Sequence, residues 1–294
     1  MKTQDYYETF ASLVLYAATM YEQHPDNITP PPDPRIHKDG WKLTGYIVGR
    51  NCFTCLNNST NKNELVLSND LVNFGFIVER INNPGEYVVA IRGSKTIEDF
   101  EHDVDVSYIQ PWSETPNQSV FEGFYNVYKT LYLTVPDNPI DIDYSQFKLA
   151  DAISKFIGIY GSCTITGHSL GSVVATYLTR DIYDKAPNCR SCLFASPKVG
   201  NYEFVKYVDE HFRDSTVLNY ENDIITTLPP NSEHLSNTKT LYSRDDVIVT
   251  NSIMCNHAIL TYLALINKYQ FFRVTESEVP EEKNTWNECL KVSM

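Results

Sequence analysis

The chain has 294 residues, 42% hydrophobic, 21% charged and 13% aromatic, enough for one large domain, or at most two, with a sizeable buried core, which excludes a disordered or fibrous protein. Its 37 Asp and Glu against 24 Lys and Arg give a formal charge of −13, a surface that repels nucleic acid and anionic headgroups unless a basic patch offsets it, and the sequence holds no such patch. The longest apolar run, Phe10 to Tyr21, is interrupted by Ser12 and Thr19 and falls short of the roughly 18 to 20 residues that cross a membrane, so a soluble protein is expected.

Ahead of that run Lys2 is the single base, and Asp5 and Glu8 intrude, so the segment reads as a retained helix over residues 5–22 and not as a leader. A cytoplasmic protein, or one exported by a signal-independent route, is the corresponding expectation. Leu13, Ala17, Ala18 and Tyr21 at helical spacing mark this helix as a packing element. Pro30-Pro31-Pro32-Asp33-Pro34 then forbids helix and favours an extended connector. Strand-like runs follow at Leu43 to Val48, Phe74 to Arg80 and Tyr87 to Arg92, the last two joined as a hairpin through Asn82-Asn83-Pro84-Gly85.

From Phe121 onward helices and strands alternate. Helices are predicted over Phe124 to Leu133, Tyr144 to Ile159, Leu170 to Tyr183, Phe204 to Phe212 and Ala258 to Lys268. Strands are predicted over Cys163 to Thr166, Ser191 to Ala195 and Thr216 to Tyr220. Such alternation builds an α/β fold with a mostly parallel central sheet covered by helices on both faces. Residues 1–273 form a single domain in this reading, and 274–294 a polar, acidic, loosely held tail.

Within the alternation, Gly167-His168-Ser169-Leu170-Gly171 joins the β-branched strand Thr164-Ile165-Thr166 to a helix with apolar positions Leu170, Val173, Val174, Tyr177 and Leu178. A serine on such a tight strand-to-helix turn projects its hydroxyl above the sheet, and the helix presents its positive end to developing negative charge. Ser169 is therefore the candidate nucleophile. A hydroxyl needs a histidine base and a carboxylate to orient it, and on this topology the chain order is Ser, acid, His. Three histidines lie downstream. His211 falls in a surface helix and His234 in a polar stretch, whereas His257 sits in a loop that enters a helix and is the best candidate. Asp223 follows the strand ending at Tyr220, where parallel sheets place their sites; Glu221 competes with it, while Asp181, Asp184 and Asp209 read as solvated charges on helices.

With these residues in place, the chain resembles the class 3 lipases, an α/β-hydrolase family, from Leu13 to about Tyr262. The segments similar to the family are Val88-Val89-Ala90-Ile91-Arg92-Gly93-Ser94, Asp99-Phe100, Ala195-Ser196-Pro197-Lys198-Val199-Gly200-Asn201, Asn222-Asp223 with Leu228-Pro229, and His257 to Leu263. Phe121 departs from it, standing where the family usually has histidine. The resemblance implies an oxyanion hole from Ser94 and the backbone N–H of Leu170, and a lid after Ser94. The lid segment has its own helical pattern, with Ile97, Phe100 and Val104 on one face and Glu98, Glu101, Asp103 and Asp105 on the other. So acidic a face favours neutral or zwitterionic lipid, or a smaller soluble ester, over an anionic interface.

The expected activity is hydrolysis of carboxylic esters, in particular of lipids, without metal or organic cofactor and with at most transient contact with a lipid interface. Phospholipase A1 is the alternative enzyme, and a non-catalytic lipase-like signalling scaffold the alternative of another class. Among the seven cysteines, Cys52 with Cys55 and Cys189 with Cys192 have the two-residue gap of zinc knuckles but not the compact spacing of zinc ribbons. Mostly reduced thiols are expected, with local disulfides if the protein is exported.

Overall fold

The structure, a computed structural model, describes residues 3–57, 62–94, 107–136, 141–186, 188–276 and 286–293. The chain begins with α1 (Thr3–Gln23), α2 (Pro34–Lys38), β1 (Trp41–Asn57), β2 (Lys62–Arg80) and β3 (Glu86–Ile91). Short strands β4 (Tyr108–Ile109) and β5 (Val120–Phe121) lead into α3 (Glu122–Thr130), β6 (Tyr132–Thr134) and α4 (Leu149–Ile157). Next come β7 (Ser162–His168), α5 (Leu170–Ile182), β8 (Cys189–Phe194), α6 (Tyr202–His211) and β9 (Thr216–Tyr220). The chain ends with β10 (Thr238–Leu241), β11 (Val247–Val249), α7 (Ile253–His257), α8 (Ile259–Ile266), α9 (Lys268–Thr275) and β12 (Leu290–Val292).

Among the described residues the main sheet has eight strands in the order β10-β9-β8-β7-β3-β2-β1-β6. From β10 to β3 every pairing is parallel, and β2, β1 and β6 extend the sheet antiparallel. Successive residues of a strand face opposite sides, and the central strands bury both. Val89, Ile91, Ile165, Leu193 and Val217 join one apolar core, with Phe124, Leu149, Val173 and Phe204 from α3, α4, α5 and α6. Val88, Ala90, Phe194 and Leu218 join the other, with Leu13, Leu263 and Phe271 from α1, α8 and α9. Apolar residues two-sided along the strands thus explain a sheet covered on both faces.

The polar interruptions in α1 are absorbed by the helix itself. The buried hydroxyls of Ser12 and Thr19 donate to the carbonyl oxygens of Glu8 and Leu15 four residues earlier, at 2.8 and 3.0 Å. Among the described residues no helix is long and apolar enough to cross a membrane.

Several boundaries differ from the sequence expectation for local reasons. The helix expected over Phe124 to Leu133 ends at Thr130, because Leu133 belongs to β6, where it pairs with Ile47 of β1 and is buried. The helix expected from Tyr144 is a 3-10 turn, Tyr144–Gln146, capped by the Asp143 side chain, and α4 begins only at Leu149. Asn267 separates α8 from α9, its side-chain oxygen accepting from the Tyr269 and Gln270 amides. The end of the chain is also not loose where it is described: β12 pairs with β11, and buried Cys289 is disulfide-bonded to Cys255. Cys163, Cys189 and Cys192 are free thiols. The lid expectation, with Ile97, Phe100 and Val104, lies outside the described residues.

Candidate active site

Ser169 stands between β7 and α5 with φ 58° and ψ −128°, a conformation that non-glycine residues rarely adopt. Both glycines of the pentapeptide are there because backbone passes too close for a side chain. A Cβ on Gly171 would lie 2.4 Å from the carbonyl oxygen of Arg92 and 2.5 Å from that of Ile91. One on Gly167 would lie 2.3 Å from the carbonyl oxygen of Gly171. The elbow is tied to the next strand by the Ser169 amide, which donates to Phe194 at 3.0 Å, and to its own helix by Ser172, whose hydroxyl donates to the Ser169 carbonyl at 2.6 Å.

Asp223 follows β9 and caps a 3-10 turn, Ile224–Thr227, its Oδ1 accepting from the Ile225 amide at 3.1 Å. Its other oxygen, Oδ2, accepts from His257 Nδ1 at 2.8 Å and from the Tyr262 hydroxyl at 2.7 Å. His257 is the last residue of α7 and not part of a loop; Ala258 separates it from α8. Ser169, Asp223 and His257 are 1%, 2% and 5% exposed, so all three side chains are shielded from water. The competitor Glu221 is exposed and accepts instead from the Ser243 amide at 2.7 Å.

His168 connects the elbow to the histidine. Its ring lies 4.8 Å from that of His257, and its Nε2 donates to the His257 carbonyl oxygen at 2.6 Å. Burial, and then the neighbouring His257, push the His168 pKa down to about 3, which keeps the ring neutral. Two atoms stand out against this network of satisfied groups: Ser169 Oγ and His257 Nε2 are buried and have no hydrogen-bond partner among the described residues. One is a hydroxyl and the other the imidazole nitrogen left over once Nδ1 faces the carboxylate, a donor and an acceptor.

Gly93, just before Ser94, packs against the same elbow: a Cβ there would lie 3.1 Å from Ser169 Cβ and 3.0 Å from His168 Nδ1. Buried Arg92 fixes this segment by donating Nη1 to the Gly93 carbonyl at 2.7 Å and Nε to that of Asn73 at 2.8 Å. Leu170 opens α5, where a helix has no acceptor of its own for the backbone N–H. Phe121 is buried edge-on against Phe124, with ring centroids 4.7 Å apart, so apolar packing fills the position read as a departure. Of the other histidines, His211 faces the Tyr207 carbonyl at 2.7 Å, and His234 is half-buried, its pKa lowered by burial and then by Lys198. Sequence reasoning missed His168, Tyr262 and Arg92 as supports; each lies inside a segment it had singled out.

Residues 88–233 match the family model described as Lipase (class 3). Over this stretch, just under half of its length, the chain is similar to the class 3 lipase family. Similar proteins are Phospholipase A1-II 1 of Oryza sativa subsp. indica, 30% identical over 42% of this chain and 34% of its own, and Phospholipase A1-IIgamma of Arabidopsis thaliana, 30% identical over 49% and 39%. The chain therefore spans little more than a third of the length of these relatives. Solved structures with the same fold include a mutant of MDLA from Penicillium cyclopium, with TM-score 0.57, 19% identity, and 83% of this chain and 82% of that one covered. The triacylglyceride lipase of Rhizomucor miehei gives a TM-score of 0.54 at 17% identity, over 82% and 81%. The fold is that of an α/β-hydrolase, as the resemblance implied, built on the mostly parallel sheet that the alternation predicted.

Proposed function

We propose that this protein hydrolyses carboxylic esters of lipids, with Ser169 as nucleophile, His257 as general base and acid, and Asp223 orienting the imidazole. The observation that carries this reading is the buried His257–Asp223 pair, with the His257 ring beside that of His168, the neighbour of the elbow serine, and with the Ser169 hydroxyl and His257 Nε2 unpartnered among the described residues. Ser169 Oγ attacks the ester carbonyl while His257 Nε2 takes its proton and then returns it to the leaving alcohol. Asp223 keeps the proton on Nδ1 and stabilises the imidazolium that forms, and water repeats the cycle on the acyl-enzyme. In this reading Ser94 and the Leu170 N–H stabilise the oxyanion, such donors typically being worth about 3 kcal/mol of barrier each.

A lipid substrate is favoured over a soluble ester because two exposed apolar side chains flank the pair: Ile224 follows Asp223 and Met254 stands on the helix of His257. The charge of −13 favours a neutral or zwitterionic interface. The named relatives make phospholipase A1 the second reading, using the same residues and differing in headgroup. Hydrolysis of a chain-length series of p-nitrophenyl esters, a triacylglycerol and phosphatidylcholine, with Ser169→Ala in parallel, tests both. Turnover dependent on Ser169 and rising with acyl length is expected. Hydrolysis at the sn-1 position of phosphatidylcholine ahead of triacylglycerol would select the phospholipase, and none in the folded protein would leave the scaffold.

A further inference from the structure

At the opposite end of the strands from Ser169, two free cysteines stand side by side. Cys163 near the start of β7 and Cys189 at the start of β8 are register partners in adjacent parallel strands. Both belong to the same face of the sheet: Cys163 lies in the core that contains α4 and α5, and Cys189 packs against it. Cys192, three residues on, lies in the other core and has no access to this pair. Neighbouring strands are about 4.8 Å apart, and disulfides form across Cα separations of about 4.4 to 6.8 Å.

The pair is asymmetric. Cys163 is 2% exposed, whereas Cys189 is half-buried and lines a surface cleft with Glu86, Asn188, Arg190 and Asp214. The Cys163 thiol is hydrogen-bonded to Cys189, and this together with burial raises its pKa, so it ionises less readily than an ordinary thiol. One thiol is thus reachable from solvent, and the other waits directly behind it.

We propose that Cys163 and Cys189 form a redox-active dithiol that exchanges with a low-molecular-weight disulfide, in addition to the Cys255–Cys289 bridge. The Cys189 thiolate attacks one sulfur of the incoming disulfide, forming a mixed disulfide and releasing one thiolate. Cys163, losing its proton to solvent, attacks Cys189 Sγ and expels the second small thiolate. Two protein thiols are oxidised, one small disulfide is reduced to two thiols, and the new bond staples β7 to β8 at the end away from the elbow.

The test uses the intact protein treated with glutathione disulfide and then digested without reduction for peptide mapping by mass spectrometry. A Cys163–Cys189 linked peptide is expected, with Cys255–Cys289 unchanged. Cys163→Ser is expected to retain glutathione on Cys189, having no second thiol to expel it, and Cys189→Ser to leave Cys163 unmodified. A stable glutathione adduct on Cys189 in the unsubstituted protein, linkage to another cysteine, or no reaction at either position in the folded protein would overturn the proposal. The unsubstituted protein decides it even if a variant fails to fold.

Discussion

His168 Nε2 lies 2.6 Å from the backbone oxygen of His257, so the residue next to the elbow serine holds in place the histidine that faces Asp223. The contact requires only a proton on Nε2, while burial, and then the neighbouring His257, keep the ring neutral by lowering its pKa to about 3. The folded protein therefore resists a proton that the unfolded chain accepts below its ordinary 6.5. Above pH 6.5 both states leave the ring neutral and nothing is lost; as pH falls from there toward 3, stability declines by up to about 1.4 kcal/mol per pH unit. Urea melts from pH 7 to pH 4 are expected to show a shallower decline in His168→Gln, whose amide cannot titrate. An unchanged slope would remove His168 as the cause.

Tyr262 and His257 place their donors on the same oxygen of Asp223, and the Tyr262 hydroxyl also accepts from the Tyr220 amide at 2.9 Å. Tyr262→Phe removes one charge-assisted bond and leaves a buried N–H unpaired, a loss of about 2 to 4 kcal/mol in stability. Turnover is expected to fall about tenfold through weaker placement of the carboxylate, against up to about 10⁴-fold for Asp223→Asn. Denaturant titration and steady-state rates check the two effects separately.

Gly171→Ala is expected to prevent folding or to cost more than about 4 kcal/mol, because its Cβ meets backbone oxygens on β3 and the residue after it, and these cannot move without opening the sheet. Gly85→Ala serves as the comparison. Nothing lies within 4 Å of its Cβ, and only its φ of +92° resists substitution, so a loss of about 1 kcal/mol is expected. Expression and thermal melts of the two variants measure the difference.

The Cys255–Cys289 bridge closes a separation of 34 residues and anchors the helix that ends in His257. Its removal in Cys255→Ser with Cys289→Ser is expected to cost about 3 to 4 kcal/mol through the entropy of the unfolded chain. Activity at temperatures below the new Tm is expected to fall as well, because Cys255 is two residues from His257. Retention of full activity alongside the lost stability would confine the bridge to a stabilising role.

Much of the site was legible because the chemistry constrains sequence locally. The elbow needs glycine at 167 and 171 between a strand and a helix, and the order Ser, acid, His left Asp223 and His257 in positions that short motifs reveal. The supports were not legible, since the contacts of His168 with the His257 carbonyl and of Tyr262 with Asp223 span 89 and 39 residues and carry no periodic signal. Cysteine pairing is equally hidden: spacing drew attention to Cys189 with Cys192, which face opposite cores, while Cys255 found its partner in a segment read as a loose tail. The elements missed, such as β6 and β12, are three-residue strands fixed by their partners and not by their own composition.

Covalent labelling with a fluorophosphonate, followed by peptide mapping, tests most directly whether Ser169 is an activated nucleophile. The account predicts a phosphonyl adduct on Ser169 that is lost in Ser169→Ala and greatly slowed in folded His257→Ala. A folded protein that takes up no label, carries it on another serine, or labels Ser169 at the same rate without His257 would contradict it.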